Sequence, residues 1–324
     1  MEWIFAQNIA EALASANEGS RYVGGGLSLT LLREHGVDTP TRLIDLSALP
    51  LQRIEGRQGE LRLGAQVKIA DLARDPMVQT LAPLLRESAA QTATPAIRNQ
   101  STLGGELLAR TRCPLFRDAN NLRCSKRIPH SGCALQEGVH ASFAVLGGSP
   151  ACIAPSSSEL AVALGALSAQ ATLLSQSGTK ERAVPLLDLY LAPGETPERE
   201  FALEPGELLT SVTIPVQTAR RYGYAKIALS PLHPVASAAV MLEQRGDVIA
   251  SARVVLGGLT TRPWRSQQSE SVLIGQSPNA ALFAKAAAAA LTDAAKSAGS
   301  RAIVDAGKQV IEIALQRVGD SHGR

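Results

Sequence analysis

RNQSTLGGELLARTRCPLFRDANNLRCSKRIPHSGCALQEGVHASFAVLGGSPACIAPSSSEL, residues 98–160, contains all four cysteines of the 324-residue chain: Cys113, Cys124, Cys133 and Cys152. Cysteines confined to one segment point to joint use. Two disulfides would suit a small secreted domain, but a chain of this length stabilises itself by burial. A zinc site usually shows cysteine pairs two to four residues apart, and none is present. An iron–sulfur cluster accepts wider spacing when the fold gathers the thiolates. Unlinked buried thiols are the fourth possibility. Arg110, Arg112, Arg117, Arg123, Lys126 and Arg127 flank the first two cysteines. Positive charge there favours thiolate and an anionic cluster, and the plainer reading is a solvated basic face.

The same stretch opens on a glycine loop, STLGGELL, preceded by Arg98 and Asn99. Thr102 and the N–H groups around Gly104 and Gly105 are placed to grip an anionic group. Nearer the N-terminus, RYVGGGLSLTLLREHG reads as a strand, a turn at Gly24, Gly25 and Gly26, and a helix from Ser28 with Ser28 as its cap. A glycine turn feeding a helix N-terminus presents free N–H groups and a positive dipole end, which suits phosphate. The turn is neither a Walker loop nor a G-x-G-x-x-G fingerprint, and a plain glycine-rich loop is the alternative. Two such loops about 80 residues apart suggest a ligand with two phosphates held between two subdomains.

Around these loops the chain reads as α+β. Residues 41–66 form strands turning at Gly56–Gly59, KIADLARDP is a short helix and MVQTLAPLLRESAAQ a longer one. SSSELAVALGALSAQ is a helix with Ser156 or Ser157 as N-cap and Glu159 in its first turn. ATLLSQSGTKERAVPL is a hairpin and GELLTSVTIP a strand. From about residue 218 the order changes to strands around a Gly246-Asp247 turn followed by two helices, a separate unit. Net charge of +3 and 3% aromatics argue against nucleic acid as a partner. No apolar run approaches the roughly 20 residues of a membrane helix. MEWIFAQNIAEALASANEGS lacks a basic n-region, so the chain reads as cytoplasmic by its own sequence, or periplasmic if a partner with a twin-arginine signal carries it out.

At RTRCPLFRD, CSKRIPHSGC, CIAPSSSELAVAL and GGLTTRPWR the sequence resembles the FAD-binding (medium) subunit of the xanthine dehydrogenase family of molybdenum hydroxylases, along nearly the whole chain. The likeness is to the aldehyde-oxidoreductase subfamily, bacterial and periplasmic, whose flavin subunit has a four-cysteine insertion. The resemblance implies an α+β fold: a two-subdomain PCMH-type FAD-binding domain at 1–217 (subdomains about 1–55 and 56–217, insertion about 110–153), then a CO-dehydrogenase-flavoprotein-like domain at 218–324. It implies a [4Fe-4S] cluster on Cys113, Cys124, Cys133 and Cys152. It implies FAD held by Gly24, Gly25, Gly26, Leu27 and Ser28, by Thr102, Gly104 and Gly105, by Glu159 where the family has an aspartate near the ribityl chain, and by Gly64 and Ala65 at the family's Gly-Ala strand end. It implies two partners, a molybdenum-pterin large subunit and a small subunit with two [2Fe-2S] clusters. Electrons would reach the flavin and leave to a protein or small-molecule acceptor, with no substrate-transforming residue on this chain.

The sequence departs from the family pattern in one neighbourhood. Leu27 and Ser28 replace Thr-Asn/Asp, Glu106 replaces the Asn after the second glycine pair, Glu159 replaces Asp, and ALSPLHPVA (residues 228–236) replaces an Arg-rich, Tyr-containing stretch. Glu106 puts a carboxylate near a pyrophosphate, where like charge is unfavourable. Two functions follow: a flavin- and cluster-containing electron-exit subunit, or a flavin-free structural and electron-wiring subunit that keeps the fold and the cluster.

Overall fold

The computed structural model describes residues 1–137, 143–216, 220–294 and 300–320. The expected boundary at 217/218, part of the cysteine insertion and His140 lie outside those residues. The first unit is a parallel sheet of β1 (Glu2–Phe5), β2 (Ser20–Val23) and β3 (Arg42–Asp45), in the order β1-β3-β2. Its central strand buries Leu43 and Ile44. Parallel neighbours require crossovers. The helices Ile9–Ala14, capped by Asn8, and Leu27–Glu34 supply them.

The second unit is an antiparallel sheet of β4 (Ile54–Arg57), β5 (Glu60–Gly64), β6 (Gln170–Leu174), β7 (Glu181–Pro185) and β8 (Leu208–Pro215), ordered β4-β5-β8-β6-β7. Its hairpins turn where expected: Gln58 and Gly59 both take positive φ, as does Gly178. The expected helix through MVQTLAPLLRESAAQ is two helices, Pro76–Leu81 and Pro83–Gln91. Pro83 has no N–H to continue the first. The helix Leu160–Ala166 is wholly buried, and its cap is neither Ser156 nor Ser157. Ser158 Oγ accepts from Ala161 N at 3.3 Å, while the Ser157 hydroxyl donates to Ala109 O.

The third unit is an antiparallel sheet of β9 (Arg220–Ser230), β10 (His233–Arg245), β11 (Val248–Gly257) and β12 (Trp264–Arg265), ordered β12-β11-β10-β9. The helices Ala280–Ala290 and Ser300–Asp320 pack with it in one apolar cluster. At Gly223 a Cβ would lie 1.9 Å from Ala314 O, so β9 and the last helix touch backbone to backbone. The helix Leu160–Ala166 joins second and third units: its side chains share a core with Leu173 and Val212 on one side and Ala239 and Val255 on the other. The α+β architecture matches the sequence reading, with the two glycine loops and the buried helix meeting near the seam.

Candidate functional site

The first glycine loop leaves the end of β2. Gly26 sits at the N-cap of Leu27–Glu34 with φ of 76°, and no side chain caps that helix. Ser28, expected as the cap, lies inside the helix. A helix start without a cap leaves its first N–H groups for an outside acceptor. Leu27 is 37% exposed and adds no hydroxyl.

The second loop packs directly onto the first. Gln100 Nε2 donates to Gly25 O at 3.0 Å. A Cβ on Gly25 would lie 2.3 Å from Gln100 O, and one on Gly24 would lie 2.6 Å from Thr102 Oγ1. Only residues without side chains permit this approach. Four backbone donors of the second loop are engaged within the chain. Leu103 N donates to Val67 O, Gly104 N to Ala65 O at 2.7 Å, Gly105 N to Thr102 Oγ1 at 3.2 Å and Glu106 N to Thr102 O. Gly64 and Ala65 act as the supporting floor: a Cβ on Gly64 would strike Leu51 O at 2.1 Å, and one on Gly104 would lie 3.1 Å from Ala65 O. The first loop therefore offers an open donor set, buttressed by the second.

Behind the second loop lies a buried charged cluster contributed by both halves of the chain. Glu159 is ion-paired with Lys226 of β9: Nζ is 2.7 Å from Oε1 and donates to Oε2 at 2.9 Å, and also to Gln91 O. Both side chains are almost fully buried, at 3% and 6% exposure. Glu106 lies beside them, its Oε1 accepting from Glu159 N at 3.3 Å. Burial pushes the Glu106 carboxyl up to about 7; the nearby Glu159 carboxylate adds to this, while Arg112, the Glu159 N–H and Lys226 pull it back. Tyr190, whose hydroxyl donates to Leu107 O, faces the same cluster. The like-charge conflict expected between Glu106 and a pyrophosphate is thus relieved below neutral pH, where Glu106 is uncharged.

This gives a pH prediction. An acid at about 7 when folded and at 4.5 when unfolded takes up a proton on folding between those values. Folding stability therefore falls as pH rises through that window and levels off above it. Glu106→Gln will remove this slope and leave the variant more stable than the parent at pH 8, by roughly 2–3 kcal/mol. Urea unfolding of both chains from pH 4 to 8 checks it; parallel curves would show that Glu106 is not buried in solution.

The four cysteines do come together: Cys113, Cys124, Cys133 and Cys152 line one small cavity with Phe116 and Leu135. Cys124 faces Cys133 across an isolated antiparallel bridge. The expected [4Fe-4S] cluster is nevertheless corrected. Among the described residues no group of three or more His, Cys, Asp or Glu is arranged to hold a metal ion. All four cysteines are free, so neither the zinc nor the disulfide reading holds. Burial pushes the Cys113 thiol up and the Cys152 thiol up to about 11, towards the protonated form. The flanking cations have other partners. Arg110 and Lys126 converge on Glu200, and Arg117 donates to Thr111 O. These thiols pack as small apolar residues.

Lys226 and the buried state of Glu106 were not readable as site features. A lone lysine in a strand (YAKIAL) carries no signal of burial until its distant carboxylate is known.

Residues 1–217 match the family described as the FAD binding domain in molybdopterin dehydrogenase, and residues 224–303 match the CO dehydrogenase flavoprotein C-terminal domain. The aldehyde oxidoreductase FAD-binding subunit PaoB of Escherichia coli is 40% identical over 82% of this chain and 83% of its own. The glyceraldehyde dehydrogenase medium chain of Sulfolobus acidocaldarius is 24% identical over 86% and 82%. Among solved structures, the reconstituted CO dehydrogenase from Oligotropha carboxidovorans superposes with a TM-score of 0.77 at 22% identity, covering 99% of this chain and 98% of that one. At that identity the likeness speaks for the fold alone.

Proposed function

The chain belongs to the FAD-binding family of the molybdopterin dehydrogenases, and from that membership we propose that it is the electron-transferring FAD subunit of a heteromeric molybdenum-hydroxylase-type oxidoreductase. The observation that carries this reading is the uncapped helix start at Gly26, clasped by the second glycine loop. In this reading Gly24 to Ser28 hold the pyrophosphate through backbone N–H groups and the helix dipole. Gly104, Gly105, Gly64 and Ala65 keep the first loop in place, and Thr102 caps the second loop with its side-chain oxygen. Glu159 is fixed by Lys226 with its carboxylate turned into the chain. Bound FAD would supply the redox chemistry; the chain's residues bind it, orient it and exclude water.

The finer proposal follows the relatives. A large molybdopterin subunit would oxidise an aldehyde, a small iron–sulfur subunit would pass the electrons on, and this chain would deliver them to an external acceptor. Among the described residues no helix is long and apolar enough to cross a membrane. A second reading, a flavin-free structural subunit, is favoured by one observation: the N–H groups of Leu103, Gly104, Gly105 and Glu106 are engaged within the chain. Flavin released by denaturing the purified complex separates them. We expect FAD near one per chain. Its absence, with the complex still assembled, would leave the structural reading standing.

A further inference from the structure

A groove of about 570 Å³, lined by none of the glycine-loop residues, runs along the seam between the second and third sheets. That volume is within the range of small-molecule sites, roughly 300–1,000 Å³. One wall is Gly165, Leu187 and Asp188; the other is Arg253 of β11 with Arg262, Trp264 and Arg265. The cations are unevenly matched. Arg265 is held by Glu270 through both nitrogens, at 2.8 and 2.9 Å. Arg253 makes no ion pair among the described residues and donates only to Gly165 O, at 3.3 Å. Burial, with the positive Arg265 and Arg220 nearby, holds its guanidinium below the ordinary range, and the Glu270 carboxylate that Arg265 engages offsets this only in part. Arg262 likewise has no carboxylate partner; it donates to Tyr190 O and lies 5.9 Å from the centre of the Trp264 ring. Asp188 forms no ion pair with any of the three arginines, so positive charge exceeds negative in the groove.

Two half-buried guanidinium groups with no ion-pair partner keep donors that an anion can take up. Their planar forks match the two oxygens of a carboxylate or phosphate. The part-exposed Trp264 ring is backed by Gly147, where a Cβ would lie 2.9 Å from it, so the indole is fixed and offers a flat apolar surface. We propose that this groove binds a small planar ring bearing a carboxylate or a phosphate, at a site separate from the glycine loops.

The test is calorimetric titration of the full chain at low ionic strength with AMP and with benzoate, each beside its ringless counterpart, inorganic phosphate or acetate. The AMP and benzoate arms distinguish a nucleotide from an aromatic acid as the source of the anion. We expect one ring-bearing probe to bind at least about ten-fold tighter than its ringless counterpart. We expect Arg253→Ala to weaken it about ten-fold, and Arg253→Lys nearly as much, because lysine keeps the charge but not the fork. Arg262→Ala is the second variant, should Arg253→Ala fold poorly. Flavin content should be unchanged in all three. No heat with either ring-bearing probe, equal affinity for the ringless ions, or affinity untouched by the arginine variants would overturn the proposal.

Discussion

Lys226→Ala will destabilise the folded chain by about 3–5 kcal/mol, the cost of leaving a buried charge unpaired. Lys226 comes from β9 of the third sheet, and Glu159 stands at the start of the helix that fills the space between second and third sheets. Removing the ammonium leaves a carboxylate at 3% exposure facing Glu106 rather than a cation. Lys226 Nζ also satisfies Gln91 O at the end of Pro83–Gln91, so that carbonyl loses a donor as well. The double variant Glu159→Gln/Lys226→Met should recover much of the loss, because a neutral pair of similar shape leaves no charge buried. Unfolding by urea, followed by far-ultraviolet circular dichroism at pH 7, measures both. A single variant within 1 kcal/mol of the parent would mean that water reaches the pair and that the sheets are held by apolar packing alone.

Gly25→Val will abolish flavin retention. A Cβ at residue 25 would lie 2.3 Å from Gln100 O and 3.0 Å from Ser101 Cα, which are backbone atoms that cannot swing aside. The branched side chain must push the two loops apart. The Gln100 to Gly25 hydrogen bond is then lost, and the helix start at Gly26 turns away from its place. The cost in stability should be modest, about 1–3 kcal/mol as for other overpacked sites, so the chain stays folded while FAD content drops to near zero. Flavin absorbance after gel filtration, with an unfolding curve on the same sample, separates loss of binding from loss of fold. Full flavin in a folded variant would place the pyrophosphate elsewhere on the chain.

Much of this molecule was legible because its signals are local. Gly24 to Gly26 after a short strand, the Gly246-Asp247 turn and the hairpin at Ser177 to Thr179 each follow from what two or three adjacent residues permit in φ and ψ. Errors arose where one residue's role depended on a distant partner. Ser28 looks like a cap until the helix is seen to begin one residue earlier, at Leu27. Gly104 and Gly105 look like phosphate donors until Thr102 and Ala65 are found holding their N–H groups. Four clustered cysteines look like a ligand set, yet among the described residues no group of three or more His, Cys, Asp or Glu is arranged to hold a metal ion.

The sequence alone determined the α+β class, the glycine turns and the family likeness, because backbone preference and hydrophobic periodicity are written in neighbouring residues. Tertiary structure alone decided that the two glycine loops touch, that the N–H groups of Gly104 and Gly105 are taken up within the chain, that Lys226 neutralises Glu159 and that Glu106 holds its proton near neutral pH. Those outcomes depend on desolvation and on counter-charges brought from segments tens of residues away. Neither quantity exists until the chain has packed.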